Sequence, residues 1–242
     1  MKHICTTHLL FIFFFAVLSP EIVSAGNWKW QNPLPQGNDL HAIGMINSDT
    51  GWVVGENGLM MRTTDGGSRW TIEPELEPNN LTGITFTDVK NGWIVGYGGL
   101  ILHTSDGGLN WLRQLSGVSN DLNDVAFTDD KNGWIIGGKH LQIGCRILHT
   151  SDGGKSWSTQ YTNLLSTLSG ITFTDHLNGY AWDVPRTFLR TTDGGITWTS
   201  SKKTPYSLYG VVFVNALTAW GLRSDGSFME IVNTTDGGEK LE

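Results

Sequence analysis

Short apolar segments alternate with turn-forming residues along nearly the whole chain after residue 25. The clearest unit has four such segments, separated by stretches rich in Gly, Asn and Asp: residues 81–86, 93–96, 100–104 and 111–115. The first of them alternates apolar residues with small or polar ones, which is typical of a half-buried strand. Because no segment after residue 25 has a helical period, the pattern predicts an all-β structure of short strands and tight turns.

A phrase of the form Thr-Ser/Thr-Asp-Gly-Gly occurs five times and sets a period along the chain. Its aspartates, spaced 41 to 46 residues apart, are Asp65, Asp106, Asp152, Asp193 and Asp236. In the first four copies a Trp follows three residues after the second Gly. This period, with four strands in each repeat, is typical of the blades of a β-propeller. We therefore predict one propeller domain over residues 26–242, with five repeats that each form a four-stranded blade.

The N-terminal segment of the mature chain is predicted to complete the ring. Only four residues follow the last Gly-Gly, too few for a fourth strand. Residues 28–32 begin Trp28-Lys-Trp-Gln31, which matches Trp111-Leu-Arg-Gln114 in a fourth-strand position. We predict that this strand joins the last blade, closes the ring and removes an exposed sheet edge. The alternative is a fragment of a larger cell-surface repeat protein.

The five aspartates are interpreted as structural residues that stabilise turns rather than as catalytic residues. An Asp side chain accepts hydrogen bonds from backbone N–H groups just ahead of it, the preceding Ser or Thr bonds locally, and Gly supplies a positive φ. A calcium loop needs several more oxygen ligands at close spacing, which the phrase lacks. We predict neither a metal site nor a cofactor.

The first 25 residues have the pattern of a signal peptide. Lys2 precedes an apolar run from Leu9 to Leu18, and Val23-Ser24-Ala25 places small residues where a signal peptidase cleaves. The run is shorter than the ~20 residues of a membrane-spanning helix, so no transmembrane span is expected after cleavage. We predict an exported protein of the periplasm, the cell surface or the medium. An uncleaved membrane anchor is the alternative.

Charge and cysteine content narrow the possible partners and chemistry. The formal net charge of −7 disfavours nucleic acid, whose phosphates an acidic surface repels. After cleavage Cys145 is the only cysteine, so no disulfide forms within the chain, and we expect this residue in a loop or at a sheet edge.

Two kinds of position are candidates for binding. The turns between second and third strands are longer in the third and fifth repeats, and loops on a rigid scaffold are common binding sites. They contain Lys139, His140, Gln142 and Arg146 in the third repeat, and Arg223 and Asp225 in the fifth. The residue before the first Thr of each phrase is also polar in every repeat: Arg62, His103, His149, Arg190 and Asn233. The alternatives are neutral changes of loop length and ordinary solvated strand positions.

Each repeat contains a Gly-Trp pair, a short Gly turn and then Ile/Leu-x-Thr-Ser/Thr-Asp-Gly-Gly-x-x-Trp. This pattern resembles that of the photosystem II stability and assembly factor family. More broadly it is similar to the Asp-box, or BNR, repeats of sialidases and sortilin-type propellers. The opening from Trp28 to Leu40 resembles exported bacterial members of the family. The resemblance implies a chaperone-like protein that binds a protein partner, including a membrane complex, in the periplasm or the thylakoid lumen. Family members are seven-bladed, whereas this chain shows five repeats.

An enzyme and a binding protein remain the two hypotheses for function. A sialidase-type hydrolase needs three Arg, a Tyr–Glu pair and an acid, and none of the seven Arg residues lies in a matching motif. No Gly-x-Ser-x-Gly and no phosphate-binding Gly loop before a helix is present in the sequence. We therefore favour a non-catalytic protein-binding or assembly factor, with a carbohydrate-active Asp-box hydrolase as the alternative.

Overall fold

Nineteen short β-strands, grouped into five antiparallel sheets, make up the described structure. It is a computed structural model that describes residues 37–138, 145–163, 168–183, 188–200, 207–224 and 228–238. Within these residues the only helices are two three-residue 3-10 turns, Glu56–Gly58 and Tyr97–Gly99. The prediction of an all-β propeller with five repeats is confirmed.

The first two blades each contain four strands in sequential order. Blade 1 consists of β1 (Leu40–Met45), β2 (Gly51–Gly55), β3 (Met60–Thr63) and β4 (Thr71–Ile72). Blade 2 consists of β5 (Leu81–Phe86), β6 (Gly92–Gly96), β7 (Leu100–Thr104) and β8 (Leu112–Leu115). The first strand of each carries a bulge near its start, opposite Gly55 and Gly96 respectively.

The remaining blades repeat this plan. Blade 3 consists of β9 (Leu122–Phe127), β10 (Gly133–Gly137), β11 (Cys145–Thr150) and β12 (Ser158–Asn163). Blade 4 consists of β13 (Leu168–Phe173), β14 (Gly179–Asp183), β15 (Phe188–Thr191) and β16 (Thr199–Ser200). Blade 5 consists of β17 (Ser207–Phe213), β18 (Ala219–Ser224) and β19 (Met229–Thr234). Its predicted closing strand, residues 28–32, lies outside the described residues.

The first strands of blades 1 to 4 lie innermost, where consecutive ones pack against each other. A polar side chain at the second position of each of three first strands bonds to the backbone of the next blade. His41 Nδ1 lies 2.8 Å from the Leu81 carbonyl, and the other two bonds are Thr82 Oγ1 to Leu122 O (2.6 Å) and Asn123 Nδ2 to Leu168 O (2.7 Å). These bonds join consecutive blades near the centre of the propeller.

Aromatic stacking forms the contact between consecutive blades, which we call the seam. The buried second-strand aromatic of one blade lies flat against the last first-strand residue of the next blade. The ring centroids are 3.6 Å apart for Trp93 and Phe127, and 3.7 Å for both Trp134–Phe173 and Tyr180–Phe213. Such pairs contribute about 0.5–1.5 kcal/mol each beyond their burial. The seams are therefore a main source of the hydrophobic core.

The five Thr-x-Asp-Gly-Gly phrases form identical turns between third and fourth strands or at the end of the third. In blade 2 the buried Thr104 hydroxyl donates to Asp106 Oδ1 (2.8 Å) and accepts the Gly108 N–H (2.8 Å), while Asp106 Oδ1 accepts the Asn110 N–H (2.9 Å). The Asn110 side chain and backbone donate to the carboxylate, which lowers the pKa of Asp106 to about 2. The Thr–Asp bond recurs at Asp65, Asp152, Asp193 and Asp236.

Candidate functional site

A cleft opens between blades 3 and 4 on the face that carries the Asp-Gly-Gly turns. Its volume is about 670 Å³. We call it the blade 3–4 cleft, and it is lined by Thr128, Asp129, Asn132, Trp134, His149, Gln160, Asp175, His176, Leu177, Asp193, Gly194 and Ile196. It therefore combines the first-to-second turns of both blades, the Asp-Gly-Gly turn of blade 4 and side chains of blade 3.

Hydrogen bonds hold the turns that shape the cleft. Asp175 Oδ1 accepts the N–H groups of Leu177 and Asn178, both at 2.8 Å, and so closes the first-to-second turn of blade 4. The Leu177 carbonyl in turn accepts the Gly194 N–H at 2.9 Å. Because this bond ties the first-to-second turn to the Asp-Gly-Gly turn, both turns lie on one face, as their order along the strands predicts.

Three carboxylates give the cleft a negative charge. Side-chain bonds from Asn178 and Thr197 are the main causes that lower the pKa of Asp175 and Asp193. Burial raises the pKa of Asp129, but hydrogen bonds from the Asn132 side chain and backbone outweigh it and the net shift is downward. All three groups are ionised at neutral pH, and neither Lys nor Arg is among the described residues that line the cleft.

An aromatic group forms the blade 3 wall. The Trp134 indole stacks on Phe173, and the His149 ring lies 4.9 Å from it, centroid to centroid. Desolvation lowers the pKa of His149, so its imidazole is neutral at pH 7. Trp134 Nε1 donates both to Gln160 Oε1 (3.1 Å) and to the Gly194 carbonyl (3.2 Å), which fixes this wall against blade 4.

The repeated polar position before each Thr lies on the third strands, against the second-strand aromatic of the same blade. Arg62 lies over Trp52 and Arg190 over Tyr180, at 5.4 and 6.0 Å from the ring centroids, and His103 stacks on Trp93 at 4.8 Å. Each of these contacts is made within a single blade. Only His149 lines the blade 3–4 cleft.

The candidate residues of the long second-to-third turns are described only in part. Lys139, His140, Gln142 and Asp225 lie outside the described residues. Arg146 is half-buried on β11, and its buried Nε has no hydrogen-bond partner within the described structure. Arg223 donates from Nε to Glu230 Oε2 at 2.6 Å, across the β18–β19 pair. The loop location expected for Cys145 is wrong, because it opens β11 and is buried in the core with Ile147 and Leu168.

Gln160, which lines the cleft, and its equivalent Gln114 in blade 2 were not identified from the sequence. Gln160 Nε2 lies 3.4 Å from the Gly194 carbonyl, and Gln114 Nε2 donates to the Gly153 carbonyl at 2.9 Å one blade earlier. The available signal was a Gln three residues after the Trp that follows the phrase. This Gln marks a fourth strand and also a bond between neighbouring blades.

Neither a metal centre nor a membrane span is found in the described part of the chain. No group of three His, Cys, Asp or Glu side chains there is arranged to hold a metal ion. No helix among the described residues has the length and apolar character needed to cross a membrane.

Several solved structures share this fold at low sequence identity. "YCF48 bound to D1 peptide" is 17% identical, with 86% of this chain and 83% of that chain covered and a TM-score of 0.50. YCF48 from Cyanidioschyzon merolae is 19% identical, covers 87% and 86%, and has a TM-score of 0.58. The Niastella koreensis GH74 enzyme is 14% identical, covers 84% and 38%, and has a TM-score of 0.66. These likenesses show the fold alone.

Sequence comparison identifies the family. None of the curated protein sequences matches the chain. The family model described as photosynthesis system II assembly factor YCF48 matches residues 21–118 and 114–202, which is more than half of the chain. The chain therefore belongs to the photosynthesis system II assembly factor YCF48 family.

Proposed function

We propose that the protein is an exported, non-catalytic assembly factor that holds a polypeptide segment of a protein partner in the blade 3–4 cleft. Family membership supports the assembly role, and the related YCF48 structure contains a peptide. The proposed location of the bound segment is supported by one observation, the acidic blade 3–4 cleft with its aromatic wall. A subunit of a photosynthetic membrane complex is the class of partner that the family favours.

The charge and shape of the cleft suit an extended segment that carries Lys or Arg. Asp129, Asp175 and Asp193 are ionised at neutral pH and offer carboxylate oxygens to a cationic side chain. Leu177 and Ile196 are exposed at the rim and offer apolar contact to the rest of the segment. Electrostatic complementarity of this kind speeds association and makes binding sensitive to salt.

Fluorescence anisotropy with a labelled decalysine peptide tests this proposal. Asp175→Asn removes a cleft charge while its amide oxygen still accepts the backbone bonds of the turn, so we expect weaker binding, by about two- to fivefold for one exposed charge pair. Asp88→Asn is the matched control, because Asp88 accepts the same bonds in the blade 2 turn but lies outside this cleft. Equal weakening by both variants would show that decalysine responds only to net charge and would contradict the location.

Export and the absence of catalysis have separate tests. We propose that residues 1–25 direct export and are removed, so mass spectrometry of the exported protein should give Gly26 as the first residue. An intact Met1 in that protein would contradict cleavage. Chromogenic glycosides and sialosides should show no turnover, and turnover abolished by a single carboxylate substitution would establish the hydrolase alternative.

A further inference from the structure

Two sheet faces are apolar and exposed. One is the forward face of blade 5, which points away from blade 4, and the other is the rear face of blade 1, which points away from blade 2. On blade 5 the forward face consists of Trp220, Leu222 and Ile231, which are 50%, 37% and 72% exposed. On blade 1 the rear face consists of Leu40, Ile43 and Met45, which are 43%, 61% and 46% exposed. Contiguous apolar surface of this kind indicates an interaction site.

Both faces carry the residues that form seams elsewhere in the molecule. Trp220 is equivalent to Trp52, Trp93, Trp134 and Tyr180, all of which are buried against the following blade. Met45 holds the position of Phe127, Phe173 and Phe213, which receive that aromatic ring from the preceding blade. The forward face of blade 5 therefore has the form of one half of a seam, and the rear face of blade 1 has the form of the other half.

Hydrogen bonds support the same pairing of the forward face of blade 5 with the rear face of blade 1. At the seams between blades 2 and 3 and between blades 3 and 4, the second-strand indole donates to the carbonyl of the first Gly in the next Asp-Gly-Gly turn: Trp93 to Gly153 (3.4 Å) and Trp134 to Gly194 (3.2 Å). By equivalence, the acceptor for Trp220 is the Gly66 carbonyl of blade 1. Among the described residues of one chain both faces are exposed together, so the five blades as described do not bring them into contact.

We propose that blade 5 of one copy docks on blade 1 of a second copy through a seam like those inside the chain. The occupant is a second copy, because its rear face carries the complementary seam positions. The contact is heterologous, since two different surfaces meet. Each addition leaves one forward and one rear face open, so assembly grows with protein concentration until a ring closes.

Sedimentation velocity of four proteins and one mixture tests this, with each protein expressed from its full coding sequence. Wild type should form a concentration-dependent series of species. Trp220→Glu disables the forward face and Met45→Lys the rear face, so each variant alone should remain monomeric, with association at least about thirtyfold weaker, as expected for loss of a buried Trp anchor. Mixed together, they should form a 1:1 dimer and nothing larger, because each copy supplies one intact face.

Leu115→Glu is the matched control, since Leu115 is 84% exposed on β8 and away from both faces. It should assemble as wild type does, and circular dichroism should show that all variants fold. A monomeric wild type at every concentration would overturn the proposal and indicate closure within one chain or a different partner. Wild-type assembly by either face variant, or failure of the mixture to form a dimer, would overturn it as well.

Discussion

At the second Gly of the Asp-Gly-Gly turn, the backbone approaches the preceding blade too closely for a side chain. Gly108 has a φ of 87°, and a Cβ there would lie 2.5 Å from the Trp52 ring. Gly238 has a φ of 90°, and a Cβ would lie 2.4 Å from the Phe188 ring. The second Gly is therefore required both by its own conformation and by the seam, whereas turn chemistry alone accounts only for the first requirement.

Gly108→Ala should destabilise the protein more than Gly117→Ala. Gly117 also has a positive φ, 72°, but no atom lies within 4 Å of the position of its Cβ. The control substitution should cost roughly 1–2 kcal/mol for the left-handed backbone. Gly108→Ala should cost about 1–3 kcal/mol more, because the rigid Trp52 ring must move. Urea unfolding measures both, and equal losses would contradict the account of the seam.

Asp124 occupies a position on β9 where the equivalent residues are Ala42, Gly83 and Gly170. Its carboxylate accepts the Val125 N–H (2.8 Å) and, across the seam, the Ile171 N–H (3.0 Å). Burial nevertheless raises the pKa of Asp124 to about 6, above the ordinary value of 3.8. The folded state therefore binds this proton more tightly than the unfolded state does.

Asp124→Ala should remove a pH dependence of stability. The protonated carboxyl favours folding fully below about pH 4, and this contribution is lost as the pH rises through about 6. The free energy of unfolding of wild type should therefore fall relative to that of Asp124→Ala between pH 4 and pH 7, in urea titrations. Exposed Asp130→Ala is the control and should follow wild type. Parallel curves for wild type and Asp124→Ala would contradict the raised pKa.

At the scale of the element, the Thr-x-Asp-Gly-Gly turn makes two sets of hydrogen bonds, one within its own blade and one to the preceding blade. Within the blade, its Thr and Asp bond each other and the backbone of the turn. Between blades, its first Gly carbonyl accepts bonds from the preceding blade, as Gly194 does from Trp134. The first set follows from residues within a few positions and was predictable, whereas the second joins residues 60 positions apart and needed the structure.

Thr104→Val should weaken the turn through one buried hydroxyl. Val has nearly the same shape but can neither donate to Asp106 nor accept the buried Gly108 N–H, which costs about 1–3 kcal/mol when left unpaired. Ser105→Ala, at the exposed neighbouring position, is the control and should change stability by less than about 0.5 kcal/mol. Thermal unfolding measures the difference. A loss in Ser105→Ala as large as in Thr104→Val would contradict the role of the hydroxyl.

For the whole molecule, periodicity predicted the blades, their strand order and the face on which the turns lie. The blade 3–4 cleft was not predictable, because Asp129, Asp175 and Asp193 come from turns about 20 to 45 residues apart that meet only when blades pack. The exposure of Trp220 and Met45 was not predictable for a similar reason, since it depends on which blades pack against each other. The closing strand at residues 28–32 stays a prediction, and a monomeric wild type would favour it over docking between copies.

Nuclear magnetic resonance titration of the isotopically labelled protein with decalysine tests most directly whether the blade 3–4 cleft holds a polypeptide. The indole N–H signal of Trp134 and the backbone amide signals of Leu177 and Gly194 should shift as the peptide is added, because these groups line the cleft. Shifts confined instead to residues around Arg146 on β11 and Arg223 on β18 would contradict the proposed site.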